Sequence, residues 1–209
     1  MNVTSESIPS QLDLMAIRQG KHKSLIEADL AGTDLSGAQL ANADLGKANL
    51  SGANLSGADL QRSHLRSHLR GANFGGAHLQ ETDFRNAELQ GAIFTEAQFR
   101  QTSFAGAFMA GAILSHVDLS GCDFCGADLR GANLSGADLQ EADFTNANLS
   151  GANLSEANLE EANLTGAILR GANLAGANLV CAAGEGVIWD GAHLEEVAIA
   201  GSVLENLNT

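Results

Sequence analysis

Tyrosine is absent from this chain of 209 residues and tryptophan occurs once; aromatic residues make up 4% of a chain that is 44% apolar. Such a composition argues against the large, irregular core of a globular enzyme and implies a thin, regular interior of Leu, Ala and some Phe. Basic residues are also scarce, eleven Lys and Arg against 25 Asp and Glu, for a net charge of −14 and a pI near 4.6. That balance argues against direct nucleic-acid binding and against an anionic membrane surface. No apolar run approaches the ~18 residues of a membrane span. The first residues lack the basic and long apolar regions of a secretory signal. Three cysteines do not make a disulfide framework. The expectation is a soluble, cytoplasmic protein.

What the chain has is repetition. Residues 131–151 read GANLSGADLQEADFTNANLSG: Ala132, Ala137, Ala142 and Ala147 are each followed two residues later by Leu134, Leu139, Phe144 or Leu149. This five-residue unit runs from about Leu25 to about Leu204, with one slip where the step from Leu65 to Leu69 is four. Such a period fits neither a helix nor a simple alternation, but suits a short extended segment followed by a tight turn. Residues i and i−2 of an extended segment share a face, so Leu or Phe and the Ala before it point inward and the Asp, Asn or His between them points outward. Glycines such as Gly121, Gly126, Gly131 and Gly136 suit turns with unusual backbone angles.

The phenylalanines set the number of units per coil. Phe84, Phe104, Phe124 and Phe144 lie twenty residues apart, and the inward places two before them are Thr82, Thr102, Cys122 and Ala142. A coil of four pentapeptides stacks these rings on one face. Coils ~4.8 Å apart would number about nine and make a rod roughly 43 Å long. The missing residue predicts a tightened corner or a small kink. Residues 1–22 are expected to form a tail and capping helix, with Ser10 as N-cap, Leu12, Met15 and Ile17 on one side and Gly20 as the stop. Residues 23–182 form the repeat array, and 183–209 a degenerate coil that is either a cap or a homodimer contact through Val187, Ile188, Trp189, Val203 and Leu207.

The unit Ala-(Asp/Asn)-Leu-x-Gly, present as ANLSG at 48–52 and ADLRG at 127–131, resembles the signature of the pentapeptide-repeat family, in its cyanobacterial type. The resemblance implies an all-β fold, a right-handed quadrilateral β-helix. One branch of that family, the quinolone-resistance proteins, forms acidic rod-shaped dimers that imitate duplex DNA and bind DNA gyrase, so the resemblance makes gyrase a possible partner.

No enzyme is read from the sequence. The Cys122-x-x-Cys125 pair points inward and outward and should not converge on one ion. His64 and His68 fall outward on adjacent faces. With no metal site and no cofactor, function is assigned to surfaces. Residues 1–110 carry nine Lys and Arg against eleven acids, residues 111–209 two against fourteen. Asp118 and Asp138 should stack on one face, Asp123 and Asp143 on the next, and Glu141, Glu160 and Glu161 near the corner between. This acidic strip is one candidate contact. The outward apolar residues Ile93, Phe108 and Ile113 are a second, and the basic corner of Arg62, Arg66 and Arg70 is a third. The sequence thus points to an interaction or scaffolding solenoid with an unidentified protein partner, and alternatively to a DNA-mimicking inhibitor or protector of gyrase.

Overall fold

The computed structural model describes residues 13–202. Its one helix, α1 (Leu14–Arg18), is capped by Asp13, whose carboxylate accepts from the Ala16 N–H at 3.0 Å. Ser10 and Leu12 lie outside the described residues. Ile17 and Ala16 are buried, but Met15 is 70% exposed, which corrects the expected apolar side. Residues two apart point about 200° apart on a helix, so Met15 and Ile17 cannot share a face. Gly20, with φ of 69°, ends the turn as expected. The helix closes the first coil through polar contacts: Arg18 O accepts from the Gln39 N–H at 2.8 Å, the Arg18 guanidinium donates to Ser36 O and Lys23 Nζ to Ala41 O.

The later coils are held to their neighbours by parallel single-residue bridges, spaced twenty residues apart except at the slip. They form four ladders. The first runs from Ser24 through His64 and Asp123 to Ala183, and the second from Asp29 through Phe108 to Ile188. The third runs from Asp34 through Ile93 and Ile113 to His193; the fourth covers Gln39 to Gln98 and Asp118 to Ala198. The alternation of inward and outward residues makes this architecture: central Leu and Phe residues and their Ala partners are buried, while the residues between them form the bridges. In all but a few units the central N–H donates to the next coil, as Leu139 does to Asn158 O at 2.7 Å, and the N–H of the small inward residue closes the turn, as Ala142 does to Leu139 O at 3.1 Å. Proline would delete these donors, and the only proline, Pro9, precedes the repeats.

The phenylalanine column stacks as the spacing predicts. Centroids of Phe84, Phe104, Phe124 and Phe144 are 5.1, 5.0 and 4.9 Å apart in succession, with planes within 5°. At the slip, the bridges change from twenty to nineteen residues, as in Asn49–His68 and His64–Asp83, and then return to twenty. The deletion is absorbed in the corner at Arg66 and Ser67, and the ladders on both sides continue.

Candidate interaction surfaces

The acidic strip is assembled as expected. Asp118 bridges Asp138 on the fourth ladder and Asp123 bridges Asp143 on the first; Glu141 and Glu161 occupy the corner between those ladders, where Glu141 N–H donates to Glu160 O at 3.0 Å. Sequence reasoning missed that the aspartates have a second task. Each accepts from the backbone N–H two residues on: Asp118 from Ser120, Asp123 from Cys125, Asp138 from Gln140 and Asp143 from Thr145, at 2.9 to 3.2 Å. This turn-closing bond explains why the outward place prefers Asp and Asn to other polar residues. Asn158 and Asn178 add amide bonds along the fourth ladder, Asn158 to Asp138 and Asn178 to Asn158. Glu141 and Glu161 lie at positive φ, 56° and 57°, and their carboxylates are the part of the strip that closes no turn.

The basic corner is neutralised by the coil that follows. Arg62 pairs with Glu81 at 3.2 Å, Arg66 with Asp83 at 2.9 Å and Arg70 with Glu88 at 3.0 Å. His68 also meets Glu88, at 3.2 Å. Burial favours the neutral acid at Asp83, but the guanidiniums of Arg85 and Arg66 prevail and hold its carboxyl well below the ordinary range. His64 and His68 stand on different ladders, and no group of three metal-ligating side chains occurs among the described residues. Cys122 is buried and its thiol is pushed up to about 12, chiefly by burial, whereas Cys125 is partly exposed.

The apolar residues gather around one edge. Ile93 bridges Ile113 on the third ladder, and Phe108, 47% exposed, lies on the second between Glu88 and Asp128. Between the two ladders runs an edge whose positive-φ place is Gly in each coil from Gly32 to Gly191. The other three edges hold Asn, Glu, Lys, Arg, Gln, His and Cys at the same conformation, and a Cβ on Gly111 would meet nothing within 4 Å. Backbone geometry therefore does not account for the unbroken glycine column here; the place before each glycine does carry a side chain, as at Arg70, Gln90, Ala110 and Arg130. Around the coil this edge is the one farthest from Glu141 and Glu161, so the apolar and acidic surfaces face apart.

At the C-terminal end Val187, Trp189, Ala192, Val197 and Ile199 pack partly buried against the core, and Leu194 is 38% exposed. Ile188 bridges Ile168 on the second ladder. Val203 and Leu207 lie outside the described residues.

The pattern described as pentapeptide repeats matches residues 24–62, 67–106, 92–131, 127–166 and 157–183. The chain belongs to the pentapeptide-repeat family. Among solved structures, this pentapeptide-repeat protein is similar to HetL, a pentapeptide repeat protein involved in heterocyst differentiation regulation from the cyanobacterium Nostoc sp. strain PCC 7120. The identity is 32%, over 87% of this chain and 89% of that one, with a TM-score of 0.37. A trypsin-treated variant of QnrB1, a plasmid-mediated fluoroquinolone resistance protein, is 19% identical over 88% of this chain and 98% of that one, with a TM-score of 0.50, a likeness of fold. Comparison with curated protein sequences returns no match. No helix of the described residues is long and apolar enough to cross a membrane.

Proposed function

We propose that this chain is a non-enzymatic interaction or scaffolding solenoid, docking a protein partner on the edge between its second and third ladders. The observation that carries the reading is Phe108, exposed beside bridged Ile93 and Ile113 and next to the small corner Ala110–Gly111. Exposed clustered apolar groups suit a contact, and Ala110 and Gly111 leave little side chain at that corner to hold a partner away. The fold is read in full as a right-handed quadrilateral β-helix of about nine coils, divided as 1–22, 23–182 and 183–209, and the setting as cytoplasmic. Arg62, Arg66 and Arg70 are secondary, since their charges are already paired. The test is affinity capture with the wild-type chain and with Phe108→Ser, Gly111→Glu and Glu141→Gln: a partner held by the first and last but lost by the middle two supports the reading, and equal capture by all four sinks it.

A second reading rests on the acidic strip: inhibition or protection of DNA gyrase by imitation of duplex DNA. Its support is the register of Asp118, Asp138, Asp123 and Asp143 beside free-standing Glu141 and Glu161, with Glu160 adjacent. A supercoiling assay decides it. Inhibition that weakens with salt and disappears on neutralising the strip supports the mimic; no effect at low salt removes gyrase as the target. An end-to-end homodimer through Val187, Ile188 and Trp189 would lengthen the strip, and sedentation of the wild type against Trp189→Glu by analytical centrifugation tests it.

A further inference from the structure

From Leu25 to Leu179 the N–H of every central residue donates to the coil that follows, except at Phe99. The bond from Phe99 to Asp118 O is absent, and so is the return bond from the Asp118 N–H to Ala97 O. Gln98 bridges His78 and Asp118 bridges Asp138, but Gln98 and Asp118 do not bridge each other. The loss extends to the adjoining corners. Glu96 and Gln101 make no bond to the next coil, and the turn bonds that Thr102 and Val117 would make to Phe99 and Leu114 are missing. Around the same turn the other ladders hold, through Glu88–Phe108, Ile93–Ile113 and Ser103–Asp123. One wall of the solenoid is open over one rung.

The core explains why it opens there. Phe94, Phe99 and Phe104 fill three consecutive inward corners, and Phe99 meets its two neighbours at 5.8 and 5.9 Å with tilts of 54° and 58°. In the next coil the small inward place of the same rung, stacked over Ala97, holds Val117, where this ladder has Ala77, Ala97, Ala137 and Ala157 in neighbouring coils. Phe and Val thus share one rung where Leu and Ala are the rule. An overfilled core is relieved by backbone displacement. Phe99, Ala97 and Val117 are 9%, 6% and 4% exposed, whereas most core residues are fully covered. The nearest comparison is Phe84 below Thr102: there the threonine hydroxyl donates to Leu79 O at 2.8 Å, and the rung from Ser103 N–H to Thr82 O lengthens to 3.2 Å but survives.

We propose that this gap is a hinge: the solenoid consists of two stacks that pivot at the Gln98–Asp118 rung, opening along the fourth ladder and closing along the second, which bears Phe108. Bending of this kind changes the spacing of Glu88, Phe108 and Asp128 on the closing side, so the surface around Phe108 is adjustable while the stacks on either side stay rigid.

Hydrogen exchange on the full chain tests the first half of this. Unbonded amides at a weak rung exchange through local opening, so Phe99 and Asp118 should exchange at least about tenfold faster than Leu79 and Asp138. The pair Phe99→Leu with Val117→Ala restores the pattern of neighbouring coils and should remove the difference; Val117→Ala alone should remove part of it. Spin labels at Asp59→Cys and Asn178→Cys, with Cys125→Ser and Cys181→Ser, test the pivot: the distance distribution should be broad and should narrow in the Phe99→Leu, Val117→Ala background. Equal exchange at all four amides overturns the proposal. So does fast exchange with an equally narrow distribution in both backgrounds, which would make the gap a fixed feature.

Discussion

Asp118 and Asp138 bridge each other on the fourth ladder, yet both carboxylates are already engaged: Asp118 accepts from the Ser120 N–H at 3.0 Å and its hydroxyl at 2.7 Å, and Asp138 from the Gln140 N–H at 3.2 Å. Charge and turn closure are therefore combined in one side chain, and the two roles separate by substitution. Asp118→Ala removes both and should cost about 0.5–1.5 kcal/mol in urea unfolding. Asp118→Asn keeps an acceptor for the turn and should leave stability nearly unchanged while removing charge. Glu141→Gln and Glu161→Gln should also be close to neutral. Equal stability of the Ala and Asn variants would show that the turn bond contributes nothing.

Asp83 gives a pH-dependent counterpart. It pairs with Arg66 at 2.9 Å and Arg85 at 2.7 Å, and its folded-state carboxyl titrates below its ordinary value. A depressed carboxyl contributes stability that is fully present above the unfolded-state value, about 4, and that disappears as pH falls through the folded-state value. Asp83→Asn should therefore destabilise by about 1–2 kcal/mol near neutral pH. The gap between wild type and variant should shrink steadily below about pH 4. Urea titrations at neutral and acid pH read this directly, and a gap that is constant with pH would assign the loss to packing instead.

The ladders and the stacked phenylalanines were legible because each depends on one residue type at one spacing: Phe84 and Phe104 stack since twenty residues return the chain to the same face. The acidic strip was legible for the same reason. The pairing of Arg62 with Glu81, or Arg66 with Asp83, was harder to see, because it depends on how long side chains reach across the shortened corner. The open rung at Phe99 was less visible still. Phe and Val are each ordinary inward residues, and only their meeting on one rung overfills the wall. Met15 misled because it and Ile17, two apart within the helix Leu14–Arg18, point to nearly opposite sides.

Ser67 lies at the shortened corner with its hydroxyl buried and without a partner. A buried hydroxyl without a hydrogen bond is costlier than a methyl in the same place. Ser67→Ala should raise stability by about 1 kcal/mol, seen as a higher urea midpoint at unchanged slope. A loss of stability would mean that the hydroxyl is bonded in solution, for which Ser67→Cys provides a check with a weaker donor.

Gly131 and Gly136 have φ of 63° and 61° and differ in what surrounds them. A Cβ on Gly131 would meet nothing within 4 Å, whereas one on Gly136 would run into the imidazole of His116, which lies over it from the preceding coil. Gly131→Ala should carry only the cost of a side chain in the left-handed region, about 1–2 kcal/mol. Gly136→Ala should cost more, by as much as the ring resists moving. Adding His116→Gly to Gly136→Ala should remove the excess and bring the cost to that of Gly131→Ala. A double-mutant cycle on thermal or urea unfolding measures the coupling. Additive effects of the two substitutions would mean that the imidazole swings aside freely, and that each corner of the solenoid tolerates its side chain independently of the coil that follows.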